Sequence, residues 1–141
     1  MDKTATIKTI FSTGIIAFLF VWLVRIAFIN HYGVDFPVLE QWGAEIDGLY
    51  LPYLNSTLSL KVLFLPHNEH RIFFTRAFNL IIFIFNNNYS PVLVMKLQAG
   101  VMALIAALFA VWNVMDGKKV NYYSVAVIAL FFGLPIGSAN A

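Results

Sequence analysis

The sequence predicts an all-α, polytopic membrane protein with three transmembrane helices, and with short interfacial helices in one large external loop. Hydrophobic residues make up 60% of the 141 positions and charged residues only 11%, with a mean hydropathy of +0.78. A water-soluble domain of this size has too little core to hide that much apolar surface. The nine Lys and Arg nearly balance the seven Asp and Glu, which argues against a nucleic-acid partner, and the absence of cysteine excludes disulfides and thiolate metal sites.

Three apolar runs are the predicted spans. Residues 10–29 are apolar apart from Arg25, and about 20 helical residues cross a hydrocarbon layer of roughly 30 Å. Residues 92–115 form the second run and residues 122–136 the third, shorter one. The stretch "IFFTRAFNLIIFIF", residues 72–85, is apolar but short and contains Arg76 and Asn79, so it is more typical of a re-entrant or interfacial helix.

The loop charges bear on whether this short stretch crosses the membrane. If it crosses, the "DGKK" turn at 116–119 lies on the side opposite Lys3 and Lys8, against the positive-inside rule. If it does not, both basic clusters are cytoplasmic, and residues from about 30 to 91 form one external loop. Residues 31–71 carry five acids and two bases, as an external loop should. We therefore predict three spans, with four spans as the alternative.

The external loop contains a predicted helix around residues 39–51. Pro37 is placed to open it and Pro52 to close it. An apolar and aromatic face suited to the headgroup boundary is formed by Trp42, Ile46, Leu49 and Tyr50.

Acidic residues cluster just beyond the first span. The cluster consists of Asp35, Glu40, Glu45 and Asp47, four of the seven acids in the chain. Carboxylates at a membrane surface can take a proton from an attacking hydroxyl or bind a divalent cation. The alternative interpretation is a solvated loop that obeys the topology rules.

The motif "PHNEHR" gathers imidazoles and a guanidinium before the short helix. In a helix, His67, His70 and Arg71 share one face and could hold a phosphate, while His67, Glu69 and His70 could bind a metal ion. The spacing fits neither zinc-protease pattern, and Arg71 would repel a cation, which favours phosphate. Headgroup snorkelling is the alternative. Arg76, within the short helix, is hard to explain by packing alone.

Two quoted stretches carry a resemblance to a known family. "FPVLEQWGAEIDGLYLPYL" (residues 36–54) followed by "LFLPHNEHRIFFTR" (residues 63–76) resembles the N-terminal part of bacterial membrane glycosyltransferases of the GT-C superfamily, which use polyprenyl-phosphate sugars as donors. The resemblance runs from about Phe11 to Pro135 and corresponds to the first third or so of such enzymes. Glu40 falls where the superfamily has its catalytic acid, commonly Asp, and Lys96 falls near the basic residue that follows the His-containing motif.

The resemblance implies an inverting sugar transfer at the outer face of the bacterial plasma membrane, with a cytoplasmic N-terminus and a periplasmic or extracellular first loop. Glu40 would deprotonate the acceptor hydroxyl, and Glu45 or Asp47 would orient the acceptor or a metal ion. The donor phosphate would be bound by His67, His70, Arg71 and Arg76. We expect no cofactor, although a divalent metal stays open, and we expect three spans alone to be too few for an active enzyme.

A non-enzymatic role is the alternative prediction. The chain would then be a small membrane subunit that binds a lipid headgroup or a larger membrane partner through residues 35–76. Small residues in the second span could let a partner helix approach closely; these are Gly100, Ala103, Ala106, Ala107 and Ala110.

Overall fold

The computed structural model describes residues 3–39, 41–66, 73–117 and 121–134, and within these ranges every regular element is a helix. In chain order they are α1 (Lys3–Tyr32), a π-helix (Trp42–Tyr50), α2 (Leu51–Leu54), α3 (Lys61–Phe64), α4 (Phe73–Asn86), α5 (Pro91–Gly117) and α6 (Tyr122–Gly133). They form two compact units, which we call the three-helix unit (residues 1–33 and 95–141) and the loop unit (residues 34–94).

Two helices, α1 and α5, are long and apolar enough to cross a membrane. Their apolar segments, Ile7–Tyr32 and Pro91–Asp116, are 26 residues each, and only 22% and 17% of their most apolar windows are buried. The core helix of a soluble protein would be mostly buried, so this exposure fits a lipid environment. These two helices confirm that the first and second predicted runs are helices of spanning length.

The two remaining apolar helices are shorter. Helix α4 has 14 residues and the described part of α6 has 12, lengths of about 21 Å and about 18 Å against a hydrocarbon layer of roughly 30 Å. The predicted third span, residues 122–136, extends past the described residues at its end.

A stripe of small residues on α5 allows close packing in the three-helix unit. Ala103 and Ala106 are fully buried and cluster with Val21 of α1 and Ala129 of α6. The stripe continues at this spacing of three and four residues through Ala99, Ala110 and Val114, all buried. Helices of the three-helix unit itself therefore pack against most of the small residues that were predicted to form a surface for a partner helix.

Contacts within the three-helix unit define the helix directions. A Cβ atom added to Gly14 would lie 2.8 Å from Val111 Cγ2, while Val21, further along α1, clusters with the earlier Ala103. Helices α1 and α5 are therefore antiparallel. Near its C-terminal end, α1 donates a hydrogen bond from Arg25 Nε to the carbonyl oxygen of Phe132, in the last turn of α6. Because Arg25 and Phe132 both lie towards the C-terminal ends of their helices, α1 and α6 run parallel.

The helix predicted at residues 39–51 forms with altered ends. It begins at Trp42, because Leu39 adopts a left-handed backbone conformation with φ of 49°. Pro52 does not close it, contrary to the prediction, since the helix continues through α2 to Leu54. Pro52 falls at the second residue of α2, where the π-helix gives way to an α-helix, and because proline has no backbone N–H, one helical hydrogen bond is absent at this change of geometry.

An acidic residue of the predicted cluster helps to begin α5. Asp35 Oδ1 accepts hydrogen bonds from the Ser90 hydroxyl at 2.9 Å and from the backbone N–H of Val92 at 3.3 Å. Ser90 Oγ in turn accepts from the backbone N–H of Leu93 at 3.2 Å, which is a standard N-cap arrangement. The carboxylate also lies at the positive end of the helix dipole. Asp35 thus has a structural role within the loop unit.

Candidate functional site

Helix α4 turns its polar side chains towards the interior of the loop unit. Arg76 and Asn79 are buried, with exposed fractions of 6% and 3%, whereas Phe74 and Phe85 are exposed at 85% and 84%. An apolar exposed face combined with a polar buried face is the reverse of a soluble amphipathic helix. It is the pattern expected where the exposed face meets lipid and the polar residues need protein partners.

The buried Arg76 is bound to main-chain oxygens. Its Nη1 donates to the carbonyl oxygens of Val62 at 2.6 Å and Leu65 at 2.8 Å, at the C-terminal end of α3. The carbonyl oxygen of Val62 also accepts the backbone N–H of Leu65 at 3.3 Å, and a cation near the C-terminal end of a helix suits the helix dipole. Arg76 Nε is buried without a hydrogen-bond partner in the described chain. The structure therefore shows Arg76 joining α3 to α4, and its predicted contact with phosphate stays a prediction.

One member of the acidic cluster, Glu45, faces this polar side of α4. Its Oε1 accepts a hydrogen bond from Asn79 Nδ2 at 3.0 Å, and the glutamate side chain is half-buried. Burial raises the pKa of the Glu45 carboxyl, and the hydrogen bond from Asn79 opposes that effect without cancelling it. A carboxyl with a raised pKa, fixed by one amide, is a plausible site of proton exchange.

The π-helical geometry explains why Glu45 faces inwards. Its hydrogen bonds join residues five apart, so residues separated by five share a face. The inward pairs have this spacing: Ala44 with Leu49, both buried, and Glu45 with the buried Tyr50. In an α-helix, residues five apart point about 140° away from each other. An α-helical register would therefore separate the carboxyl from Tyr50.

Two tyrosines border the Glu45 carboxyl. Tyr50 stacks on Phe83 of α4 with ring centroids 4.5 Å apart, and its ring meets that of Tyr89 edge to face at 5.5 Å. Burial, and then the charge of Glu45, raise the pKa of the Tyr50 phenol. Burial, followed by the charges of Glu45 and Asp35, raises the pKa of Tyr89 to about 12. Both phenols therefore remain protonated at neutral pH and can act as hydrogen-bond donors.

The remaining predicted site residues divide into two groups. Asp47 is exposed on the π-helix, two residues from Glu45, and the structure does not bring it to the Asn79 side. The proposed catalytic acid and the phosphate motif lie outside the described residues; they are Glu40, His67, His70 and Arg71. Their predicted roles are thus not tested by the geometry. Within the described ranges, no group of three or more His, Cys, Asp or Glu residues could hold a metal ion.

Sequence reasoning missed Asn79 as a site residue. It is a polar side chain in a mostly apolar stretch, three residues after Arg76, and that spacing puts both on one helical face. This signal was sufficient to single out Asn79 together with Arg76. No periodicity in the sequence predicts the contact of Asn79 with Glu45, which lies 34 positions earlier in the chain.

Comparison with known proteins does not extend the resemblance. No model of a known protein family, no curated protein and no solved structure matches the chain.

Proposed function

We propose that the chain is a membrane module of a polyprenyl-phosphate-dependent glycosyltransferase of GT-C type, with its reacting groups in the loop unit. The observation that supports this most directly is the half-buried Glu45 carboxyl, held by Asn79 and bordered by Tyr50 and Tyr89. A carboxyl fixed in this way can orient an acceptor hydroxyl by accepting its hydrogen bond.

The proposed roles divide between Glu45 and the residues that the resemblance singled out. Glu40 is the base that takes the acceptor proton, and Glu45 orients the acceptor hydroxyl through its fixed carboxyl. The leaving polyprenyl phosphate is bound by His67, His70, Arg71 and Arg76. As the hydroxyl oxygen bonds to the anomeric carbon, the bond to the phosphate oxygen breaks, and the phosphate leaves with its electron pair.

The proposed topology has three spans, with the loop unit on the outer side of the bacterial plasma membrane. It is supported by the antiparallel directions of α1 and α5, which require the chain between them to leave and re-enter the membrane on the same side. A short helix such as α4 can then lie in the headgroup boundary. Parallel α1 and α6 agree with a third crossing in the direction of the first.

A non-enzymatic lipid-binding subunit is the second candidate, favoured by the exposed apolar face of α4. That face contains Phe74, Ile81 and Phe85, spaced by seven and four residues, and the one charged residue of α4 is buried. Such a face binds a membrane surface without any need for catalysis.

The test uses the full chain in lipid nanodiscs with undecaprenyl-phosphate glucose as probe. Native mass spectrometry measures binding, and release of undecaprenyl phosphate measures transfer to an added acceptor.

We expect Arg71→Ala to weaken binding by about tenfold, equivalent to about 1.4 kcal/mol. Glu45→Gln should keep binding and lower transfer, while Asp116→Asn, an exposed carboxylate on α5, changes neither. Equal binding of undecaprenol, which lacks the phosphate, would overturn the phosphate site. Equal binding of phosphatidylglycerol would favour the lipid-binding subunit, whereas binding without transfer would not, because three spans alone are expected to be too few for activity.

A further inference from the structure

Asn79 occupies a buried position that packing alone does not explain. Its side chain is 3% exposed, and its Oδ1 atom has no hydrogen-bond partner within the described residues. A buried carbonyl without a partner costs free energy that a leucine of similar size would avoid. The one polar contact that the amide makes is the 3.0 Å hydrogen bond from Nδ2 to Glu45 Oε1. The asparagine at this position therefore acts through its hydrogen bond to Glu45.

We propose that Asn79 is a positioning residue for Glu45, which holds the carboxyl against α4 and favours its ionised form. The proposal rests on the reactive role of Glu45 given under Proposed function. The amide N–H donates to Oε1, and a charged carboxylate oxygen is a stronger hydrogen-bond acceptor than an oxygen of the neutral acid. The bond is therefore stronger to the ionised form, the form in which Glu45 accepts a hydrogen bond from an acceptor hydroxyl.

The other charged and titratable groups around Glu45 do not supply this stabilisation. Tyr50 and Tyr89 interact with its charge as neutral phenols, and Asp35 acts on Tyr89. Arg76 lies on the same face of α4 one turn before Asn79, but its Nη1 is bonded to two carbonyl oxygens of the α3 end. In the described part of the loop unit, Asn79 is the group whose hydrogen bond lowers the pKa of Glu45 against the effect of burial.

The titration of Glu45 can be followed directly because the chain has three glutamates, Glu40, Glu45 and Glu69. Full-length protein labelled with ¹³C at the glutamate carboxyl gives three resonances, and Glu45→Gln identifies the relevant one. We expect its pKa to shift upwards in Asn79→Leu, which removes the donor. Asn79→Ser keeps a hydroxyl donor and should shift it less. Asn86→Leu, at the exposed end of α4, should leave it unchanged.

An unchanged Glu45 pKa in a folded Asn79→Leu protein would overturn the proposal. Equal shifts in the Leu and Ser variants would also overturn it, because packing rather than the donor would then be responsible. Circular dichroism establishes folding, and if Asn79→Leu does not fold, the Ser variant is compared with wild type alone. The titration requires no activity, so a normal Asn79 effect in a protein that does not bind undecaprenyl-phosphate glucose refutes only the proposed function. Phosphate-dependent binding of that probe with no Asn79 effect refutes only this inference.

Discussion

Arg76 shows how a buried cation can stabilise a fold through main-chain oxygens. Its guanidinium binds the carbonyls of Val62 and Leu65, 14 and 11 positions earlier in the chain. The last carbonyls of α3, a helix of four residues, have few other partners. A short helix of this kind is marginal on its own and depends on such tertiary contacts.

Arg76→Met should therefore destabilise the loop unit. The change removes both hydrogen bonds of the guanidinium, and hydrogen bonds to charged groups contribute about 1.5–3 kcal/mol each. Thermal unfolding of the full chain in detergent micelles, followed by circular dichroism, measures the loss. Lys61→Met is the matched control, because Lys61 is exposed at the start of α3 and should change little. Equal melting temperatures for the two variants would contradict the structural role of Arg76.

For single residues, the sequence predicted the residue types of the candidate site more accurately than it predicted their contacts. Glu45 was predicted together with Asp47 to orient an acceptor or a metal ion, and the structure places Glu45 at a polar contact with Asn79. Asp47 came from the same cluster but points to solvent, since a carboxylate two residues along a helix lies on a different face. The pairing of Glu45 with Asn79 depends on how two helices pack, which residue types alone do not specify.

At the level of elements, the π-helix is the feature that organises the candidate site. The sequence predicted a helix here, but its hydrophobic pattern did not distinguish spacing of three and four residues from spacing of five. Two glycines, Gly43 and Gly48, are also five apart and lie in this segment. A Cβ atom added at Gly43 meets nothing within 4 Å, whereas one added at Gly48 would lie 3.0 Å from the carbonyl oxygen of Gly43.

The two glycines therefore offer a matched pair of substitutions. Gly43→Ala should stabilise the loop unit by about 0.5–1 kcal/mol, since alanine loses less backbone entropy on folding. Gly48→Ala should not give this increase in stability, because its methyl group would lie against a main-chain carbonyl oxygen of the π-helix. Thermal unfolding of both variants under identical conditions provides the comparison. A Gly48→Ala protein as stable as Gly43→Ala would argue against the five-residue register.

For the whole molecule, hydropathy alone predicted the long helices well. Helices α1 and α5 cover the predicted runs 10–29 and 92–115 and extend beyond both. The length of α4 is likewise close to the predicted 14-residue stretch. The order of the charges predicted which side each loop faces, but the relative directions of the helices came from packing contacts such as Gly14 against Val111.

Single cysteines in this cysteine-free chain can test the proposed topology. We expect Asn88→Cys to react with an impermeant maleimide from outside, and Lys8→Cys and Asp116→Cys to react only after permeabilisation. All three positions are exposed in the structure, and Asn88 is preferable to Asn87, whose φ of 52° disfavours substitution. If α4 crossed the membrane, the positions of Asn88 and Asp116 would be exchanged, with Asp116 outside.

The bond between Asp35 and Ser90 has a consequence for how this chain could be rearranged. It joins residues near the two ends of the loop unit, so the chain enters and leaves that unit at almost the same point. Segments whose ends lie together can be replaced or transplanted with little disturbance to the helices that flank them. The loop unit is therefore a segment that can be exchanged between α1 and α5 with little disturbance to either helix.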